Sequence, residues 1–449
     1  MMGAYRRLRT CLLALLVLAV GSAGVACGAI IGLDELPPMS RGADGGADAR
    51  DELPREASTD AAPSRAGTLD PSFGDHGIAV IPVPFEKPAS ASVVLDGEEI
   101  VLIVPDSAAG NVVAIRCSDE GSCDSAHPTT LLASPSGMRR LTAVTDPRNS
   151  GVLVYGVQTK PGNDEENIVH LWRVTRDGRS VELATETLPA PFTQLDTAFA
   201  AGARRSVAID NAGPEDASTV NLRARLPDGA ADPSFGRHGL VAFAPASGHF
   251  TPFDGLMEED GRIVVTGTVI DNAASWVLRF SDDGGIDRSF GQEAGVARST
   301  LLPEVQSLAL HQGGYVLGGR DRRGWGALLR LEHDGREDVS YWDGGVYSLV
   351  QKDDAGVPPP TNLDALGIEP DGSVVILGST FAVLEAPEII LTRVSRNGVD
   401  PTFGKVGEIV VDEGYVAAHS SMALQAGHKV IITWLSADGF IKVARYLLE

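Results

Sequence analysis

The chain has 449 residues, 43% of them hydrophobic, with 37 Lys+Arg against 60 Asp+Glu and a net charge of −23. That apolar content excludes disorder along the whole chain, and the acidic balance excludes the basic face that a nucleic-acid binder needs. One layered core rarely grows beyond about 250–300 residues, so this length calls for several domains or for a repeat architecture.

The N-terminus carries Arg6, Arg7 and Arg9, then the apolar run Cys11–Val20, then small residues up to Ala26. Residues 1–26 therefore predict an export signal. The apolar run is too short to cross about 30 Å of hydrocarbon as a permanent anchor. Gly24-Val25-Ala26 before Cys27 resembles the lipobox of bacterial lipoproteins. The resemblance implies that Cys27 receives a diacylglycerol and anchors the chain to a membrane; cleavage after Ala26 with secretion is the competing outcome. Either cut removes three arginines and no acid, which leaves a mature charge of −26. Residues 27–66 are dominated by Ala, Gly, Pro, Asp and Glu without apolar periodicity. They read as a flexible acidic linker that holds the body off the membrane. No later stretch approaches about 18 uncharged apolar residues, so none reads as a membrane span.

From residue 67 onward the sequence repeats. Four segments are plainly related: LDPSFGDHGIAV (69–80), ADPSFGRHGLVAF (231–243), IDRSFGQEAGVA (286–297) and VDPTFGKVGEIVV (399–411). Upstream of each turn lies an arginine that ends an apolar run, as in WVLRFSDDG and ILTRVSRNG. The arginines are Arg116, Arg173, Arg225, Arg279, Arg330, Arg393 and Arg445. The turn glycines Gly67, Gly121, Gly178, Gly229, Gly284, Gly335 and Gly398 are spaced 51 to 63 residues apart. Each unit holds about four short β-branched runs broken by Gly, Asp and Ser, with no sustained helical stripe. Four strands per unit of this length fit a propeller blade. The prediction is an all-β fold, a β-propeller of seven four-stranded blades over 67–449, preceded by the signal peptide and disordered linker. The final strand IKVARYLLE has no turn after it, and the first unit is preceded by an unpaired turn, AGTLDPSFG, so the N-terminal turn segment is expected to close the ring against the last blade.

These segments, their period and the preceding R-x-x-x-D-G turn resemble the delta-60 repeat of propeller-like domains. The resemblance is strong at 69, 231, 286 and 399, partial at 338 and weak at 124 and 181. It implies a propeller in an extracytoplasmic setting and no assigned chemistry.

The repeated residues read first as structure. Asp70, Asp232, Asp287 and Asp400 (with Asp338) suit a turn in which the carboxylate accepts nearby backbone N–H groups. Phe73, Phe235, Phe290 and Phe403 (with Tyr341) suit plugs between blades. Gly74, Gly236, Gly291 and Gly404 suit positive φ or close approach. Each arginine is expected to clamp the Asp seven or eight residues on, as a planar carboxylate partner. The alternative is a ring of seven arginines lining a central channel. Cys117 and Cys123 flank a short turn, and an oxidising compartment favours a disulfide there over a free pair.

No nucleophile elbow, phosphate loop or metal-ligand spacing occurs, and the nine histidines are scattered. No catalytic residue, metal or cofactor is therefore assigned. The least repetitive segments, 158–168, 244–257, 352–366 and 379–388, are the best pointers to function, because loops vary freely on a scaffold. The expectation is a monomeric, non-enzymatic lipoprotein of the bacterial cell envelope, at the outer membrane or cell surface, and secreted if Cys27 carries no lipid. It would bind an envelope protein or a glycan. The alternatives are a carbohydrate-active enzyme with carboxylates at the propeller mouth and a purely structural envelope component.

Overall fold

The computed structural model describes residues 66–82, 91–105, 111–133, 138–148, 151–163, 166–189, 198–212, 219–244, 250–269, 274–342, 344–349, 362–380, 388–413 and 420–449. The expected signal peptide, Cys27 and the expected linker up to residue 65 lie outside them. Seven antiparallel sheets form seven blades, and there is no helix among the described residues. In chain order the blades span 92–132, 138–189, 198–243, 250–299, 304–348 and 362–413, and the seventh joins 421–447 to 78–81.

The first strand of each blade faces the axis. These strands are Ser92–Asp96, Met138–Thr145, Ala198–Ala201, Phe250–Met257, Glu304–His311, Asn362–Ile368 and Ser421–Gln425. Each packs against the first strand of both neighbouring blades, so together they form a closed ring. Second and third strands are sandwiched between blades, and several read as long apolar runs for that reason. Glu99–Pro105 (EIVLIVP) is buried at every position but its ends, and Val374–Ser379 is buried throughout. Fourth strands have less cover and are only partly buried, as in Leu240–Phe243. Seven apolar clusters fill the seven interfaces between blades.

Polar side chains staple the inner ring. Four first strands carry a β-bulge near their entry, at residues 139, 253, 306 and 364. A bulge re-aims the side chains beside it. Leu308 N–H donates to Asp254 Oδ2 at 2.8 Å, Leu363 N–H to Gln306 Oε1 at 2.9 Å, and Ser420 Oγ–H to Asp364 Oδ2 at 2.6 Å. Each bond crosses from one blade to the next. Burial pushes the Asp254 carboxyl up to about 6, against the two backbone N–H groups that it accepts.

The ring closes through the N-terminal segment. Ile78–Ile81 pairs antiparallel with Ile441–Leu447 and serves as the fourth strand of the last blade. Gly67 N–H donates to Leu447 O at 2.8 Å, and Asp70 N–H to Arg445 O at 2.8 Å. Arg445, 1% exposed, pairs with Asp70 at 2.9 Å. The chain's two ends are thus locked by the same device that joins consecutive blades.

Candidate functional site

The D-x-S-F-G segments form one device four times over. Asp70, Asp232, Asp287 and Asp400 each accept the N–H and hydroxyl of the Ser or Thr two residues on. Burial alone would raise the Asp70 carboxyl, but the Ser72 hydrogen bonds and then Arg445 hold it down at about 2. Phe73, Phe235, Phe290 and Phe403 are fully buried. Gly74, Gly236, Gly291 and Gly404 donate their N–H groups to the next blade's turn, at 2.7 to 3.2 Å. Gly291 has φ +72°, and a Cβ there would meet Val296 O at 2.1 Å, so no other residue fits.

The arginines hold this device together with local variations. Arg279 pairs with Asp287 at 2.8 Å, stacks 4.5 Å over the Phe290 ring and donates to His333 O of the next blade at 2.6 Å. Arg393 pairs with Asp400 at 2.9 Å and with Glu369 at 2.6 Å. Arg330 lies 3.6 Å from Asp338, over Tyr341, and donates to His311 O at 2.6 Å. Arg116 and Arg173 depart from the seven-or-eight-residue pairing. Arg116 takes Asp96 (3.2 Å) and Glu99 (2.7 Å), and Arg173 takes Asp146 (3.0 Å). Their units lack the D-x-S-F-G segment, so the hairpin between first and second strands supplies the carboxylate. All seven arginines lie on third strands counted from the axis, so they form no channel-lining ring. Cys117 and Cys123 are joined by a disulfide.

Arg225 is the informative exception. It does not pair with Asp232. In the third blade Asp232 N–H donates to Ala224 O, whereas Asp287 N–H donates to Arg279 O, so Ala224 occupies the clamp position. Arg205, 2% exposed, reaches in from the start of the second strand to pair with Asp232 at 2.8 Å and to cover Phe235. Arg223 and Arg225 then fall at the places of Leu278 and Phe280, which pack against the preceding blade. In the other five blades the residues flanking the clamp arginine are Ile115 and Cys117, Trp172 and Val174, Leu329 and Leu331, Thr392 and Val394, and Ala444 and Tyr446. Only the third blade puts two cations there.

Those cations face a cleft between the second and third blades. Its free space is about 20 Å³, room for about one water, and it opens to solvent. Its walls are Tyr155, Val169, His170, Leu171, Ala184 and Glu186 from one blade and Phe199, Ala208, Arg223 and Arg225 from the other. Tyr155 and Phe199 stack with ring centroids 5.6 Å apart. Glu186 bridges both arginines, at 3.3 Å to Arg223 and 2.5 Å to Arg225. Asp210 accepts from Arg223 Nε at 3.0 Å and from Asn221 Nδ2 at 3.0 Å. Burial pushes the Asp210 carboxyl up, against the pull of Arg223. The Tyr155 hydroxyl is buried and has no hydrogen-bond partner among the described residues. Burial, then Asp210, pushes this phenol up, so it stays a neutral donor. The cleft brings cations, a neutral donor and aromatic faces together without a nucleophile or metal-ligand set, which suits binding.

The cleft went unforeseen in the sequence, although a signal existed. Six units place the arginine five residues before the turn glycine, counting Arg445 across the closure, while Arg225 precedes Gly229 by four. A one-residue slip moves a strand side chain to the opposite face.

Fold and site together define a seven-bladed β-propeller with a cleft between its second and third blades. No protein-family model matches the chain, and no curated protein matches it. Among solved structures it is similar to a subtype N10 neuraminidase-like protein of A/little yellow-shouldered bat/Guatemala/060/2010, at 9% identity and a TM-score of 0.44, covering 69% of this chain and 95% of that one. It is similar to a protein of unknown function from Dyadobacter fermentans, at 13% identity and a TM-score of 0.44, covering 84% and 100%. It is also similar to the Hadza microbial sialidase Hz136, at 12% identity and a TM-score of 0.42, covering 81% and 66%. No function passes from these likenesses to this chain.

Proposed function

We propose that this chain is an extracytoplasmic, lipid-tethered propeller of the delta-60 repeat class, working as a binding scaffold for an envelope protein or a glycan. One observation carries the reading. The repeated locks all fall between third and fourth strands, at one end of the blades. Within the least repetitive segments, 160–165 and 380–387 connect second to third strands and 244–249 and 352–361 lead from one blade to the next, at the other end, whereas 250–257 and 362–366 belong to first strands that line the axis. Parts of each lie outside the described residues, yet the strand ends that flank them share that face. A rigid ring with its uniform machinery on one end and its variation on the other is how a scaffold presents a recognition surface.

The test uses the full chain in native envelopes. Replacing 352–361 with a Gly/Ser segment of equal length is expected to abolish cross-linking to a stoichiometric partner, or retention on a glycan array, without moving the melting temperature. Unchanged binding after replacement of 160–165, 244–249, 352–361 and 380–387 overturns the face assignment. Cys27→Ser is expected to shift the chain from the membrane to the soluble fraction; retention in the membrane overturns the tether.

A further inference from the structure

We propose that the cleft between the second and third blades is a binding site for a small organic carboxylate, which takes the place of the Glu186 side chain across Arg223 and Arg225. The inference does not depend on the scaffold reading or on the tether.

The arginines already hold a carboxylate in the required way. Glu186 spans them with one oxygen each, at 3.3 and 2.5 Å. Paired guanidinium groups recognise a planar carboxylate by such forked contacts. Glu186 is the exchangeable partner. It sits on the outer, fourth strand of its blade, and its side chain is 36% exposed, against 16% and 24% for the arginines. Asp210 is not exchangeable, because Arg223 Nε and Asn221 Nδ2 both hold it inside.

The fold does not require these cations. Arg205 carries the structural clamp of the third blade, and the neighbouring blade fills the equivalent positions with Leu278 and Phe280. Two guanidinium groups therefore stand where packing favours apolar side chains. The second independent sign is Tyr155. Tyr155 lines the same cleft and is 4% exposed, and its buried hydroxyl has no hydrogen-bond partner among the described residues. A buried hydroxyl left without a partner is unfavourable, and a ligand oxygen in the cleft would accept its proton.

The remaining walls set the ligand's body. Val169, Leu171 and Phe199 present apolar surface beside the charged end. A bare inorganic anion gains nothing from them. The free space between these walls is about 20 Å³, room for about one water, so the body of a ligand enters only where the Glu186 side chain swings out, which restricts the site to a small one.

The experiment is titration calorimetry on the full chain with benzoate, glucuronate, benzamide and inorganic phosphate as probes. Benzoate or glucuronate is expected to bind, and benzamide, with the same ring and no charge, at least about tenfold more weakly than benzoate. Glu186→Gln is expected to tighten carboxylate binding several-fold by removing the internal competitor, and Tyr155→Phe to weaken it. Arg225→Gln is expected to abolish it, with Arg225→Lys retaining part. Melting curves of each variant separate loss of the site from loss of the fold. The proposal is overturned by either of two carboxylate results: neither carboxylate binding the native chain or Glu186→Gln, or affinity unaltered in folded Arg225→Gln. Phosphate binding as tightly as the carboxylates would make the cleft an inorganic-anion site and also overturn it.

Discussion

Between the fourth and fifth blades, Phe290 fills the gap, Arg279 stacks over it and pairs with Asp287, and apolar side chains cover the rest. Between the second and third blades there is no aromatic plug from the repeat. Leu183 lies against the turn glycine Gly229, and Arg223, Arg225, Asp210 and Glu186 replace apolar contacts. Both interfaces join blades of one topology and both hold an apolar cluster, but only the second adds Arg223 and Arg225 where its neighbour has Leu278 and Phe280. A propeller depends on every interface, so one that gives up part of its apolar contact must have its charges paired. That pairing is in place at the second interface through Glu186, Asp210 and Asn221. Regular interfaces therefore supply cohesion, and the irregular one is free to bind.

This contrast can be tested by stability measurements. The largest effect is expected from deleting residues 67–78. The deletion removes the Phe73 plug, worth about 3–5 kcal/mol for such a ring, and takes Asp70 from Arg445, a smaller loss because Arg445 keeps Asp119 at 2.6 Å. The melting temperature should fall sharply; an unchanged value would mean that the ring does not need its N-terminal closure.

Phe290→Ala should cost about 3–5 kcal/mol by denaturant titration, because it empties a fully buried site. Leu183→Ala, at the matching place in the irregular interface, should cost clearly less, since that residue is only partly buried. Equal costs would erase the distinction between the two interfaces.

The double change Arg223→Leu with Arg225→Phe, combined with Asp210→Gly and Glu186→Ala, copies the apolar pattern into the third blade. Replacing a buried ion network by packed apolar groups is often neutral or stabilising by about 1–4 kcal/mol. Stability should therefore hold or rise while carboxylate binding disappears. A large loss of stability would show the network to be structural.

The smallest effects concern pH. Asp70 has its carboxyl held down at about 2, so its contribution is complete above about pH 4 and is lost as pH falls toward 2. Asp254 is raised from 3.8 to about 6, so the folded chain holds a proton that the unfolded chain has released. Its contribution is favourable below about pH 4 and declines as pH rises toward 6. Asp70→Asn should flatten the acid limb of a stability–pH curve, and Asp254→Asn should flatten the decline between about pH 4 and 6. A curve from either variant that parallels the native one would reject that assignment.

Much of the architecture was legible in order along the chain. The period, the turn glycines and the unpaired turn before the first unit led to seven blades and to closure by the N-terminal segment. This worked because each blade is a local meander whose strands pair in sequence order, so the repeat in residues is the repeat in space. The arginines were legible as a set, but the pairing rule held for Arg279 and Arg393 and failed for Arg116, Arg173 and Arg225. Carboxylates from another hairpin, such as Asp96 and Asp146, come close only after the sheet twists and stacks.

The sequence alone determined blade number, strand content and the D-x-S-F-G locks, because these depend on local propensity and short-range hydrogen bonds. Tertiary structure decided which face each third-strand residue presents and which blade it meets. Arg225 looks like its six counterparts as a letter in a repeat. One residue of slip against Gly229 turns it to the other side of the sheet, and there the packing of two blades makes a site from residues up to 70 positions apart, among them Tyr155, Glu186, Arg223 and Arg225.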